Sequence, residues 1–226
     1  MTNEAENALA ARMAELAREV AAPSSLDDVL FGVTSAAREI IPGVDSAGVL
    51  LIAKGGKFET HGSTSDLPHE LDRLQQEFGE GPCVEAAVDQ LIVRTDDFES
   101  EQRWPRYSRA VVQMGIRAGL SFKLYTSTDT AGALDLFSFK PNVFDSDAEA
   151  IGSVLAAHAA AAILASRRGE QLQSALTTRD LIGQAKGVIM ERYKVDAVRA
   201  FDMLRELSQT SNTRLVDIAQ RVVDTR

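Results

Sequence analysis

Nothing after Asp145 in this sequence reads as a β-strand. From Asp145 to about Tyr193 the chain suits one long helix interrupted only by glycines, so any sheet must be built from the residues before it. Asp196 can cap a second helix carrying Val198, Phe201, Leu204 and Leu207. Asn212 or Thr213 can cap a third, whose Leu215, Ile218, Ala219, Val222 and Val223 fall at i, i+3, i+4, i+7 and i+8. The expectation is a C-terminal three-helix module whose first helix extends backward as a linker.

Before Asp145 the texture is mixed. Glu4 to Val20 is alanine-rich, with Leu9, Met13, Leu16 and Val20 at helical spacing, and Ala-Ala-Pro ends it. This N-terminal helix occupies residues 1–23. Ser24 or Ser25 then caps a helix from Leu26 to Ile41, with Asp27 and Asp28 in the first turn where the helix dipole favours acid. Val44 to Ala53 and Phe58 to His61 read as strands around a Gly55-Gly56 turn. A helix over Leu67 to Phe78, the loop Gly79 to Cys83, the apolar run Leu91 to Val93 and a helix from Pro105 to near Gly115 follow. Two further strands, about Ala118 to Tyr125 and Ala131 to Phe139, flank the turn Ser127 to Thr130. Strands joined by hairpins and interleaved with helices indicate an α+β domain on an antiparallel sheet.

Charge divides along the same line. The chain of 226 residues carries a net −9, which taken whole argues against nucleic acid. Ser166 to Arg226, however, holds 11 Lys and Arg against 8 Asp and Glu, a net +3, leaving 13 bases against 25 acids in the rest. An acidic globular part followed by a mildly basic binding part is the expected organisation. Val154 to Ala165, the longest apolar stretch, is too short to span a bilayer, and the acidic N-terminus is unlike a signal peptide. One cysteine excludes an internal disulfide, a cysteine-rich zinc site and a CxxC redox pair, and the three histidines show no metal-ligand spacing. No metal or cofactor set is legible, and no Ser/His/Asp set or dinucleotide fingerprint indicates an enzyme.

The most informative segment is Arg179 to Arg192. Leu181, Ile182, Ala185, Val188 and Ile189 form its apolar side, while Arg179, Gly183 and Lys186 lie on another, with Gly187 one turn on. Each mid-helix glycine costs about 1 kcal/mol relative to alanine, so two of them four residues apart imply a groove where another backbone approaches. That backbone belongs either to a neighbouring helix or to a bound ligand. In the second case Arg179, Lys186 and Arg192 supply phosphate contacts, while Gln184 and the turn Thr210 to Arg214 supply contacts to base edges.

The run LTTRDLIGQAKGVIMERY, followed by AFDMLRELSQTSNTRLVDIAQRVV, resembles an ANTAR domain, the RNA-binding transcription-antitermination module of bacteria. The likeness rests on the Gln-Ala-Lys-Gly core, the spacing to Ala200, Phe201 and Leu204, and the Asn-x-x-Leu start of the last helix. It implies a three-helix bundle over residues 165–226 that binds paired RNA hairpins through their loops and opposes a terminator. The candidate contacts it implies are Arg179, Gln184, Lys186, Gly187, Arg192, Asn212, Thr213 and Arg214. Tyr193-Lys194 stands where the family commonly has a glycine or another small turn residue, which predicts a differently shaped first turn.

Residues 24–164 resemble a GAF domain of the actinobacterial type paired with ANTAR, through Gly79-Glu-Gly-Pro-Cys83, Arg103-Trp-Pro105, Gly115 to Ser121 and Gly132 to Ser138. Such domains are sensors, so the resemblance implies an unidentified small-molecule or protein effector between the sheet and its covering elements. Methionine-sulfoxide reductases built on this fold need a resolving thiol that a single cysteine does not provide.

Several residues carry more modest expectations. Cys83 and Trp104 are expected to be buried packing, His158 to be packed and hydrogen-bonded, and Glu80 and Glu85 to be solvated. Ile151, Leu155, His158, Ala162, Ala165, Leu172 and Leu176 recur at three- and four-residue steps, as a homodimer seam does, although the same stripe could pack on the sheet of its own chain. Together these features predict a cytoplasmic, non-enzymatic, signal-responsive regulator that binds RNA hairpins as a homodimer. The alternative is a sensor whose C-terminal helices bind a protein partner.

Overall fold

The computed structural model describes residues 10–16, 18, 25–53, 56–88, 91–127 and 130–225. The chain divides into two compact units, Met1–Ser166 and Arg167–Arg226. Of the expected N-terminal helix, residues 10–16 (α1) are helical and Leu16 is fully buried, while most of the remainder of Glu4 to Val20 lies outside the described residues. Gly55, Thr128 and Asp129 of the two expected hairpin turns also lie outside them.

Helix α2 (Leu26–Ile40) starts where sequence chemistry places it. Of the two candidate serines, Ser25 is the cap: its Oγ accepts from the Asp28 amide at 3.1 Å, and the Asp28 carboxylate accepts from the Ser25 amide at 3.2 Å. Strand β1 (Ser46–Ile52) pairs with β2 (Phe58–His61), and helix α3 (Leu67–Phe78) follows. The stretch expected to be a loop and apolar run instead contains helix α4 (Pro82–Val88), which starts on a proline pre-set for a first helical turn and is held by burial of Cys83 and Ala86. Strand β3 (Ile92–Thr95), helix α5 (Pro105–Gln113) and the long hairpin β4 (Ala118–Ser127) and β5 (Thr130–Ser138) complete the sheet. Its order is β2-β1-β5-β4-β3, antiparallel throughout, so β5 is the central strand.

Both faces of that sheet are covered, and the two-residue alternation of the strands feeds two separate cores. Leu134 and Leu136 join Leu120, Phe122 and Leu124 against α2 and the first part of helix α6 (Ser146–Tyr193). Ala133 and Phe137 face the other way, toward Leu71, Cys83, Trp104, Tyr107 and Val111 of the α3–α5 layer. On α6, Ile151 and Leu155 belong to the first core. The first two residues of the expected dimer seam are thus packed on the chain's own sheet. An 18-residue window of α6 is apolar enough to cross a bilayer by length and composition, a longer stretch than Val154 to Ala165 suggested, and 50% of it is buried inside the protein.

The second unit holds the remainder of α6, α7 (Ala197–Ser211) and α8 (Leu215–Asp224) around a core of Ala185, Ile189, Ala200, Leu204, Ile218 and Ala219. Asp196 caps α7 by accepting from the Val198 and Arg199 amides at 3.0 and 2.8 Å. The turn before it keeps a left-handed residue, Lys194 at φ 51°, although no glycine stands there. The expected cap of α8 is corrected. Arg214 occupies that position without a side-chain cap, because Asn212, at φ 49°, ends α7 as its C-cap, and Thr213 donates its hydroxyl to the Ser211 carbonyl. Asparagine tolerates the left-handed conformation better than most residues, and a helix end consumes it here.

Two glycines of α6 should respond to the same substitution with opposite sign. A β-carbon at Gly152 would collide with the Phe122 ring, whereas one at Gly169 would meet nothing within 4 Å. Gly152→Ala is expected to destabilise the first unit by about 1–3 kcal/mol through overpacking. Gly169→Ala should stabilise the helix by up to about 1 kcal/mol. Thermal unfolding of the full chain checks both, and equal shifts would contradict the packing described.

Candidate nucleic-acid interface and a buried polar cluster

Within α6, the apolar residues around Ala185 and Ile189 turn inward, which leaves the opposite side open. Arg179, Gly183, Lys186, Gly187 and Met190 fall within an arc of about 100° on that open side, with Gln184 just beyond it, from the helical repeat. Arg179, Gly183, Gln184 and Gly187 are exposed and Lys186 is half-buried. A β-carbon at Gly183 or Gly187 would meet nothing within 4 Å. Among the described residues no helix packs on the glycine groove. The floor stays smooth, and Arg179 and Lys186 run along one edge of it.

The candidate contacts are not equally available. Lys186 extends along α7 so that its Nζ sits 6.0 Å from the Phe201 ring centroid, which orients the ammonium without neutralising it. Arg179 forms no ion pair among the described residues. Arg192 instead donates to the Thr225 carbonyl at 3.1 Å and ties the end of α6 to the end of α8. Arg214 is held by Asp217 in two hydrogen bonds of 2.9 and 3.0 Å, which raises the arginine pKa and lowers that of the aspartate. Asn212 and Thr213 lie in a rigid turn, where the Ser208 hydroxyl donates to the Thr213 carbonyl at 2.6 Å. Three of the eight candidates, Arg179, Lys186 and Gly187, thus share one open helix face with Gln184 at its edge, and four belong to the far ends of α6 and α7 and the start of α8.

The first unit contains a group that residue spacing did not reveal. Asp135 sits at the middle of the central strand opposite Ser121 of β4, facing the α3–α5 layer. Across from it lie Asp72 and Gln75 of α3, Cys83 of α4 and Tyr107 of α5, all buried. The Gln75 amide donates to Cys83 Sγ at 2.8 Å and to Asp72 at 3.3 Å, and its Oε1 accepts from the Cys83 amide at 2.9 Å. Thr60 donates to Asp72 at 2.7 Å. Neither oxygen of Asp135 has a hydrogen-bond partner of ordinary geometry, and neither does the Tyr107 hydroxyl.

Burial dominates the electrostatics of this cluster. It raises the Asp135 pKa to about 6. Burial, and then the neighbouring Asp135 charge, push Asp72 well above the usual carboxylate range. The same two causes, joined by Asp72, raise the Cys83 thiol. Cys83 is buried as expected, but among carboxylates rather than in plain apolar packing. His158 departs from expectation, since its buried Nε2 has no hydrogen-bond partner.

The rim of this layer is held by charge. Glu80 is not solvated as expected. It accepts from the Arg106 guanidinium at 2.7 Å and from the Arg106 and Tyr107 amides, supplying the N-terminal cap that Trp104 does not give α5, and its pKa falls with these hydrogen bonds. Arg103 stacks 4.3 Å from the centroid of the buried Trp104 ring and lies 3.8 Å from Glu85, which is therefore paired as well.

These two units have recognisable relatives. The ANTAR domain family model matches residues 170–223, and the GAF domain family model matches residues 23–164. No curated protein matches the chain. Solved structures share the fold of the first unit. The GAF domain from Acinetobacter phosphoenolpyruvate-protein phosphotransferase is 17% identical, with 74% of this chain and 97% of that chain covered and a TM-score of 0.56. The free methionine-R-sulfoxide reductase from Neisseria meningitidis, in complex with its substrate, is 16% identical, with coverages of 75% and 95% and a TM-score of 0.53. The N-acylhomoserine lactone dependent LuxR family transcription factor CepR2 from Burkholderia cenocepacia is 19% identical, with coverages of 74% and 99% and a TM-score of 0.54. At such identities the likeness is one of fold alone. The two family matches fall on the sheet-bearing unit and on the helical unit in turn, and the chain belongs to the GAF domain family, with an ANTAR domain following it.

Proposed function

We propose that this protein is a cytoplasmic, signal-responsive RNA-binding regulator in which the ANTAR domain engages RNA hairpin loops and opposes transcription termination under control of the GAF domain. The observation that carries this reading is the open face of α6, where Gly183 and Gly187, with nothing among the described residues packed on them, lie beside Arg179 and Lys186. A phosphate backbone can approach such a floor more closely than any side-chain-covered helix allows. The field of a segment at net +3 is weak, so useful affinity also needs readout of unstacked loop bases, for which Gln184 is the exposed two-way hydrogen-bonder on this face. The role is binding rather than catalysis, with a small-molecule or protein effector acting at the GAF domain.

Dimerisation belongs to the same proposal. Residues 168–177 of α6 are exposed on every side, and an unsupported helix of that length is marginal in water. Ala165, Gly169, Leu172 and Leu176 recur at four-, three- and four-residue steps along it, with Leu172 64% and Leu176 46% exposed. A second copy pairing along this lower seam covers both leucines and holds two RNA-binding faces together, which raises effective concentration for paired hairpins. A protein partner is the second reading, favoured by exposed Tyr193 and Leu207 lining one apolar hollow of the helical unit.

Three measurements test this. In a filter-binding assay with hairpin RNA, Lys186→Ala should weaken the full chain more than Lys140→Ala and reduce the salt dependence by nearly one unit if one phosphate contact is lost. Equal affinities of the two variants would reject the interface. Gly183→Ala should stabilise the helix by about 1 kcal/mol while weakening RNA binding about tenfold, since the added methyl intrudes on a close approach. Unchanged binding would show that the groove is not used. Light scattering should give a mass near twice 24.4 kDa for the native chain and a monomer for Leu172→Glu combined with Leu176→Glu. A native mass of one chain would refute the dimer.

A further inference from the structure

We propose that Asp72, Cys83 and Asp135 form a buried binding site for one divalent first-row transition-metal ion, held by one thiolate and two carboxylates. This inference is independent of the RNA reading and fails or stands without it.

The geometry is close to what such an ion needs. One ligand atom from each residue lies within 4.8 Å of the other two. Zinc–sulfur and zinc–oxygen bonds of about 2.3 and 2.0 Å place tetrahedral ligands about 3.5 Å apart, so modest side-chain rotations close the site. Each ligand comes from a different element, α3, α4 and the central strand β5, and all three side chains are buried. A site assembled from packed elements is held more tightly than one on loops.

The polar bookkeeping of the cluster is incomplete as it stands. Neither Asp135 oxygen has a hydrogen bond of ordinary geometry, its carboxylate being eased only by the adjacent Cys83 thiol and Ser121 hydroxyl, and the Tyr107 hydroxyl near it is unpartnered. Neither aspartate takes part in an ion pair among the described residues, and the nearby Arg103 and Arg106 are committed to Glu101 and Glu80 at the rim. A buried carboxylate with only weakly placed donors and no counter-charge is disfavoured. A divalent cation between the two carboxylates satisfies oxygens of both at once, and a water completing its coordination would give the Tyr107 hydroxyl a partner.

The surrounding contacts suit ligands rather than a buried acid pair. Gln75 donates to both Cys83 Sγ and Asp72, and Thr60 donates to the other Asp72 oxygen. The Gln75 amide aimed at Cys83 Sγ at 2.8 Å would support the thiolate that forms when a cation displaces the thiol proton. Outer hydrogen bonds of this kind orient metal ligands. The mixed sulfur and oxygen set selects against magnesium and calcium, which take oxygen alone, and fits zinc, iron(II) or cobalt(II).

Cobalt(II) is the probe, because a thiolate–cobalt bond gives a charge-transfer absorption that oxygen ligands do not. The full chain, stripped with chelator and kept reduced, should develop this band on titration to one equivalent and lose it when zinc is added. Cys83→Ser should abolish the band. Asp135→Asn keeps the thiol and removes an unpartnered charge, so it should fold, and it should weaken cobalt binding at least about tenfold, by the scale seen for ligand-supporting contacts. Circular dichroism and a cooperative melt verify each fold, and if Cys83→Ser does not fold, Asp135→Asn decides alone. The proposal is overturned if the folded native chain, its thiol shown to be reduced, gives no thiolate band. It is equally overturned if cobalt binds without one, if the band survives in folded Cys83→Ser, or if Asp135→Asn binds like the native chain.

Discussion

Strand β5 is paired on both edges and covered on both faces, so each of its side chains is assigned to one of two cores by parity alone. Leu134 and Leu136 serve the side on which α2 and α6 pack, and Ala133 and Phe137 the side of α3, α4 and α5. Asp135 is the polar residue in this otherwise apolar run, and the parity that makes the cores forces it inward. A one-residue slip would send Asp135 into the core that receives α6 and turn Leu134 and Leu136 toward the polar cluster. The register of the sheet and the existence of the buried polar group are therefore the same fact.

Helix α6 uses glycine in two opposed ways. Gly152 exists because the Phe122 ring lies where its β-carbon would be, so the residue answers to packing inside the chain. Gly183 and Gly187 meet no packed atom among the described residues, so nothing described there offsets their cost in helix stability. Sequence spacing shows both kinds of glycine equally. Contact with neighbouring atoms separates them, and that separation distinguishes a packed helix face from an open one.

Ion pairing sorts the charged residues in a similar way. Arg214 and Arg192, adjacent in sequence to turns and therefore attractive as ligand contacts, are engaged by Asp217 and by the Thr225 carbonyl. Glu80 and Arg106 lock the Gly79 to Gly81 loop onto the start of α5, where the carboxylate also serves backbone amides that no local side chain could reach. Lys186 keeps its charge available because its partner is an aromatic ring rather than a carboxylate.

Local pattern was enough for the α+β class, the capping of α2 and α7, the bounds of β2 and α3, and the change to an all-helical C-terminal part. These depend on neighbours within a few residues, where helical period, caps and turns act. Helix α4 was not legible, because seven residues beginning at a proline carry too little period, and burial against the sheet holds them. The cap of α8 was misplaced because Asn212 suits two positions, and only the path of α7 selects one. Ile151 and Leu155 of the dimer stripe read from spacing belong to the core, since a heptad and a sheet-packing face share the same three- and four-residue steps. Sequence alone determined which residues of the helical unit carry charge or hydrogen-bonding groups. Tertiary structure decided which of them remain free, and it brought Asp72, Cys83 and Asp135 together across three elements, because burial and long-range proximity leave no mark in local spacing.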